Sequence, residues 1–332
     1  MMRKIFQTMS VVVVSFLFVP GFAHALTISP PLVDKTMDPG QAEQGSVLLI
    51  NESKQDQTFY ASVQKFIPKG EEGQQEYLEE SDNGGLPSWI FLDQKSITIA
   101  AGEKKEFKWS VNLPKNAEPG GHYATLFFST NPDDAGGTAV GVGGKLGVLF
   151  LVNVNGNIKE SANVESFSLV AETLDPSNPK EVSSINHLPA FFQLRVKNTG
   201  SVHINPNGQI DIYNMFGTKV TSVPVNPKNN KVLPNSIRRI TSFWGDIGDE
   251  VPTSFLGNLK AEWSGFAVGR YTAKVDAKYG TQNQPLNAEV SFWVFPWRLA
   301  LVALLLLLGL AVMIKVYNAM VIKSAMNRKT KI

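Results

Sequence analysis

The sequence predicts an all-β protein: two immunoglobulin-like β-sandwich domains in tandem, followed by a single transmembrane α-helix. Three observations carry that expectation. Alternation is clearest at residues 271–279, where Tyr271, Ala273, Val275, Ala277 and Tyr279 share one face and Thr272, Lys274, Asp276 and Lys278 the other. That is period two, a strand with one wet face. Similar short runs recur between turn-forming clusters, with no long amphipathic helix among them. After the last run, residues 299–314 contain no polar side chain.

The 332 residues suffice for two ordinary domains, and 43% hydrophobic with 18% charged residues is too apolar for a disordered chain. The chain has no cysteine. That excludes a disulfide framework, a thiolate metal or iron–sulfur site and a cysteine nucleophile.

Residues 1–25 read as a secretory signal peptide. Arg3 and Lys4 precede an apolar run over 11–19, Pro20-Gly21 breaks it, and Ala23-His24-Ala25 supplies a small-x-small cleavage site between Ala25 and Leu26. An uncleaved N-terminal anchor is the alternative, against which the shortness of the apolar run argues.

At the other end, 16 residues of helix span ~24 Å, slightly less than the ~30 Å hydrocarbon core. The flanks lengthen it. Trp293, Trp297 and Arg298 are the expected interface anchors on one side, Lys315 and Tyr317 on the other, with both charges able to snorkel outward. The span is placed at 295–316. The tail, 317–332, carries Lys323, Arg328, Lys329 and Lys331 without one acid, so the positive-inside rule makes it cytoplasmic. The expected location is a cell membrane, single-pass, ectodomain outside, in a prokaryotic style. There is no LPxTG-type sorting motif before the helix.

This partition leaves residues 26–294 with 23 basic and 29 acidic side chains, a net −6 where the whole chain is +2. Such a surface argues against nucleic acid as a partner. Strands are expected at 45–51, 58–66, 96–100, 106–113, 123–129 and 145–154, then at 162–169, 191–198, 208–213, 237–243, 271–279 and 289–294. Asp38-Pro-Gly40, Pro119-Gly-Gly121 and Asn205-Pro206 are among the turns between them.

A coarse repeat divides the series. Asn51-Glu-Ser53 and Asn198-Thr-Gly200 each end an apolar strand, and Gly121-His-Tyr123 and Gly269-Arg-Tyr271 each begin one, at an offset of about 147 residues. Duplication and convergence on sandwich geometry explain this equally. The first domain is placed at 26–157 and the second at 158–294. The first carries 10 basic and 17 acidic residues, the second 13 and 12.

No constellation points to catalysis, a metal or a cofactor. Glu71, Glu72, Glu76, Glu79, Glu80 and Asp82 could hide a carboxylate pair. A solvated loop is the plainer reading, since a flexible acidic run gives all its members one environment. The glycine-rich 141–147 leads into a strand, whereas a phosphate loop must lead into a helix. His122, His187 and His203 share no metal-binding spacing and read as turn or strand-edge residues. Asp133-Asp134 lacks the further acids of a calcium loop. Trp89, Trp109, Trp244 and Trp263 could stack on sugars, but sandwich tryptophans belong mostly to cores, and Trp89 is the one expected to be partly exposed.

Several segments resemble a known family. Leu26-Thr-Ile-Ser-Pro-Pro, Asp38-Pro-Gly40, Ala101-Gly-Glu-Lys-Lys105, Leu113-Pro114 and Pro119-Gly-Gly-His-Tyr123 resemble the first domain of WxL-interacting proteins, and Leu233-Pro-Asn-Ser236 the second. The resemblance implies Gram-positive surface proteins with a signal peptide, two extracellular sandwiches and a C-terminal anchor. It further implies peptidoglycan contact by the first domain and a partner surface protein on the second, with no binding residue assignable individually. Trp89-Ile90 and the Pro-Gly turns are also similar to the first domain of periplasmic pilus chaperones. Those are soluble and hold a subunit's carboxylate with a basic residue on the first strand; Leu26 to Val33 contains neither Arg nor Lys.

The expected function is therefore a membrane-anchored, non-enzymatic binding or scaffold module contacting peptidoglycan or an exported surface protein. The alternative is an anchored chaperone-like module that assembles surface proteins by β-strand pairing.

Overall fold

The computed structural model describes residues 26–79, 84–132, 145–171, 179–247 and 252–329, with side chains to residue 322. The signal segment with Ala25, the acids Glu80 and Asp82, Asp133-Asp134 and most of the glycine-rich loop lie outside the described residues.

The first sandwich contains β1 (Leu26–Ser29), β2 (Leu32–Met37), β3 (Ala42–Asn51), β4 (Gln57–Lys69), β5 (Gln74–Tyr77), the single turn α1 (Leu86–Trp89), β6 (Ile90–Leu92), β7 (Ser96–Ile99), β8 (Lys104–Asn112), β9 (Gly120–Ser129) and β10 (Leu146–Val154). One sheet runs β1-β3-β8-β6; the other runs β2-β10-β9-β4-β5, with β7 on β4. Pro30-Pro31, which lack donors for a ladder, mark where the chain crosses between sheets. The inner faces meet in aromatic contacts, Phe107 on Phe128 and Trp109 on Phe150, with ring centroids 4.9 and 5.0 Å apart. Each fully buried ring contributes roughly 1.5–3 kcal/mol relative to exposure.

The second sandwich contains β11 (Ala162–Val170), β12 (Ser184–Ile185), β13 (Ala190–Asn198), β14 (Asn207–Asn214), β15 (Lys219–Pro224), β16 (Ser236–Trp244), α2 (Phe255–Ser264), β17 (Gly269–Tyr279) and β18 (Gln284–Val294). Its sheets run β11-β13-β16 and β12-β18-β17-β14-β15. In β17 the expected alternation holds: Ala273, Val275, Ala277 and Tyr279 are buried, while Lys274, Asp276 and Lys278 are exposed. Two separate hydrophobic cores result, one drawn from Leu26 to Val154 and one from Leu169 to Val294.

Asn51 and Asn198 do the same work in the two sandwiches. Both are fully buried. The Asn51 amide donates to the carbonyls of Gln55 and Ile99 at 2.8 and 3.0 Å, and the Asn198 amide to those of Val202 and Val232, both at 2.8 Å. Each side-chain oxygen accepts from the backbone two residues on. A buried carbonyl without such a donor costs about 1–3 kcal/mol, which explains an amide at both strand ends.

After β18 the chain enters α3 (Trp297–Lys329). Its segment Trp297–Ile322 is long and apolar enough to cross a membrane, and its most apolar stretch is not buried within the protein.

The expected strands are all present, most of them longer than the patterns indicated. β1, β2, β5, β6, β12 and β15 were not expected: they are short, and several carry polar residues on both faces. The helix α2 was not expected either. Ser254 caps it by accepting from the Gly257 N–H at 3.0 Å. Leu256, Leu259 and Trp263 follow helical spacing, but Leu256 and Trp263 project outward instead of into the core.

Candidate functional site: the cleft between the sandwiches

β4 runs on past its partner β9 and folds back into β5, so the tip of this hairpin reaches the second sandwich. Gly70 and Gly73 turn it, at φ +62° and +84°. At Gly73 a Cβ would fall 1.1 Å from Arg238 Nη1. The positive φ favours glycine, and a side chain there would push the Arg238 guanidinium out of its place.

The tip carries Glu71 onto the β13–β16 pair, where Arg195 and Arg239 stand opposite each other in register. Arg195 grips the Glu71 carboxylate as a fork, Nε donating to Oε2 at 2.8 Å and Nη2 to Oε1 at 2.5 Å. The Arg239 N–H donates to the Glu71 carbonyl at 2.8 Å, and its Nη1 donates to Glu72 Oε1 at 2.7 Å. The fork from Arg195 holds the Glu71 carboxyl below its ordinary range and raises the Arg195 guanidinium above its own.

A second clamp lies across the junction. Asp34 of β2 meets His203 Nε2 at 2.9 Å and Lys231 Nζ at 2.6 Å. The hydrogen bond from His203 leads in pulling the Asp34 carboxyl from 3.8 down to about 2, with Lys231 assisting against the cost of burial. Tyr123 sits edge-on to the His203 ring, its hydroxyl 3.5 Å from Nδ1, and burial pushes that hydroxyl well above its ordinary range. The Gly121 N–H donates to the Ser201 carbonyl at 2.8 Å.

Between the two clamps a cleft of about 240 Å³ remains. Leu32, Leu149 and Leu151 line it on the first sandwich, and Lys228, Asn229 and Arg238 on the second. Arg238 donates from Nη2 to Asn230 Oδ1 at 3.2 Å, while its buried Nε has no hydrogen-bond partner among the described residues. Burial of the guanidinium pulls its pKa below the ordinary arginine value, with Glu72 opposing. A partly desolvated cation beside a lysine and a leucine wall suits a carboxylate on an extended polypeptide.

The residues singled out from the sequence are scattered relative to this cleft. Glu71 and Glu72 correct the solvated-loop reading: their charges are spent on arginines of the other sandwich. Glu76 instead pairs with Lys69 at 3.4 Å in an exposed bridge. His203 lies in the turn region between β13 and β14, as expected, and is in addition a clamp member. His122 Nε2 donates to the Glu118 carbonyl at 2.8 Å, and its ring lies tilted 4.7 Å from that of Trp89, which packs against the first core. Trp263, 75% exposed, replaces Trp89 as the tryptophan most open to solvent in the sandwiches.

Leu26, expected as the first residue after cleavage, opens β1. Of the expected interface anchors, Trp293 and Trp297 are exposed, and Lys315 and Tyr317 lie on the exposed surface of α3. Arg298 does not send its charge outward. It donates from Nη1 to the fully buried Glu262 of α2 at 3.0 Å, and the other oxygen of Glu262 accepts the Leu299 N–H at 2.8 Å. A carboxylate at the first turn of α3 satisfies a helix N–H that has no partner within its own helix. No sequence signal pairs residues 36 positions apart in this way.

No family model and no curated protein matches the chain. Among solved structures it is similar to the class 5 fimbriae chaperone CfaA, with 14% identity, 81% of this chain and 99% of that chain covered, and a TM-score of 0.34. A chain of the CsuC–CsuE chaperone–tip subunit pre-assembly complex from Acinetobacter baumannii matches with 14% identity, 65% and 89% coverage and a TM-score of 0.32. The periplasmic chaperone SfaE matches with 8% identity, 81% and 100% coverage and a TM-score of 0.31. The likeness is to their fold.

Proposed function

We propose that this chain is a membrane-anchored, non-catalytic binding module that holds an exported surface protein in the cleft between its sandwiches. In this reading residues 1–25 are a signal peptide cleaved between Ala25 and Leu26. The two sandwiches, divided near residue 157, lie outside the membrane. The span at 295–316 anchors them, with Trp293, Trp297, Lys315 and Tyr317 at its interfaces and residues 317–332 in the cytoplasm. The observation that carries the reading is Arg238, a half-buried cation that lines the cleft with Lys228, while the third cation there, Lys231, is already paired with Asp34. An acidic side chain or C-terminal carboxylate of an extended segment would pair with the guanidinium from the cleft side.

The resemblance to WxL-interacting proteins adds peptidoglycan as a competing ligand. Strand pairing is the second mode of protein capture, and β15, the last strand of its sheet, offers an edge for it.

The test presents the full-length protein in lipid nanodiscs to washed peptidoglycan and, separately, to solubilised surface proteins. Capture of one exported protein by the native chain, lost in Arg238→Glu and weakened in Arg238→Gln, supports the cleft. Capture that survives both substitutions moves the site to a sheet edge. Retention on peptidoglycan alone overturns the reading.

A further inference from the structure

Between residues 26 and 294, the described large apolar side chains more than 60% exposed are Phe216, Leu256, Trp263 and Phe266, at 84, 73, 75 and 61%. They come from three separate segments, yet all gather at the end of the second sandwich from which α3 departs. Register places them there. Gly269 pairs with Val294, three residues before the start of α3, and Asn214 pairs with Tyr271, which brings the β14–β15 turn beside the same edge. Met215 of that turn lies against Gly269. The Leu188 N–H bonds the Gly265 carbonyl, fixing the segment that carries Phe266 and Val268.

α2 is tied to α3 itself. Glu262 receives both Arg298 and the Leu299 N–H, and the Phe255 ring stands 6.4 Å from the Trp297 ring. Leu256 and Trp263 are seven residues apart, so they form one stripe of the helix, about 100° from the stripe that holds Glu262. Among the described residues, the exposed charges within four positions of these apolar side chains, Lys219, Lys260 and Arg270, are basic, and Glu262, the one acid of α2, is buried and paired. Exposed aromatics, an outward apolar helix stripe and flanking cations are the composition of a surface that rests at a lipid–water interface.

We propose that this collar, Phe216, Leu256, Trp263, Phe266 and the neighbouring Met215 and Val268, docks onto the surface of the bilayer that α3 enters. α2 then lies in the headgroup region as an interfacial helix, and the ectodomain stands on the membrane at a set angle. This rests on the anchor reading given above. Continuity with the apolar α3 selects lipid over a second copy of the chain or another protein as the cover.

Because the native chain has no cysteine, single cysteines report cleanly. Phe216→Cys, Leu256→Cys and Trp263→Cys, all at exposed sites, are labelled with an environment-sensitive fluorophore in the full-length chain. The protein is reconstituted into phosphatidylcholine–phosphatidylglycerol vesicles, with a spin-label quencher placed near the lipid headgroup or dissolved in water. Leu305→Cys reports the span and Phe91→Cys the remote sandwich. Collar labels quenched from the headgroup region and shielded from the aqueous quencher, with Phe91→Cys showing the reverse, are the expected result. Collar labels as open to water as Phe91→Cys, while Leu305→Cys is in lipid, overturn the collar and leave the anchor standing. Collar labels shielded from water but untouched by the lipid quencher mean a protein cover and also overturn it. Leu305→Cys in water removes the anchor and the collar together.

Discussion

At the end of the second sandwich that meets the first, Arg195, Arg238 and Arg239 are met by the hairpin tip carrying Glu71 and Glu72. At the opposite end, Phe216, Leu256, Trp263 and Phe266 stand exposed, covered by nothing among the described residues. One fold thus supports two kinds of surface. The first is organised by charge pairs that need particular partners at particular distances. The second is non-directional apolar area, bounded by a single buried ion pair, Glu262–Arg298. The proposed recognition would draw on the first kind and the proposed membrane docking on the second.

The sharpest way to break this contrast is at the ion pair of the apolar end. Glu262→Ala leaves Arg298, 16% exposed, without its anion and the Leu299 N–H without its acceptor. A loss of ~3–5 kcal/mol is expected, since removing one partner of a buried pair strands the other charge. It should appear as lost hydrogen-exchange protection in α2 and the first turn of α3, with the β4–β5 tip unchanged. Equal protection in the variant would show that packing, not the carboxylate, joins the two helices.

Next in size is Glu71→Ala at the other end, where Arg195 and Arg239 are 28 and 18% exposed and would lose their fork. The expected cost is ~2–3 kcal/mol, the value of charge-assisted bonds at partly buried groups. Hydrogen exchange should rise at the Gly70–Gly73 tip and not at α2, the mirror image of the first variant.

The smallest effect comes from acid. The folded-state pKa of Asp34 lies below its unfolded value, so its stabilisation is complete above 3.8 and disappears as pH falls toward about 2. Its loss is worth on the order of 2 kcal/mol at most. Glu71, also lowered, acts in the same direction. Small-angle scattering should therefore show the two sandwiches separating on acidification before either one unfolds. Simultaneous loss of both would mean that the clamps contribute nothing of their own.

The core strands were legible because burial writes a period of two into the chain, and β17 is the clearest case. The repeated asparagines were legible because a strand end needs an amide at the same place in both sandwiches. The clamps were not. Glu71 and Glu76 stand in one acidic run and look alike, yet one is forked by an arginine 124 positions away and the other faces solvent. His203 beside a proline turn gives no sign of Asp34, which is 169 positions distant. Charge partners obey geometry without periodicity. α2 escaped for a different reason. Its apolar stripe turns away from the core, so rules that equate an apolar face with burial do not register it.

The length of β17 has a consequence of its own. Its 11 residues run from Gly269, beside the start of α3, to Tyr279, beside the junction with the first sandwich. At about 3.3 Å per residue that is a pillar of roughly 35 Å. If α3 sits in a bilayer as proposed, with α2 bracing its base, a pillar of that length would set the height of Arg238 above the lipid. The proposed cleft would then hold only a partner whose acidic segment extends that far from the membrane or arrives from above it. Shortening β17 and β18 together by whole pairs of residues would lower the cleft without changing its chemistry, turning partner choice into a question of reach.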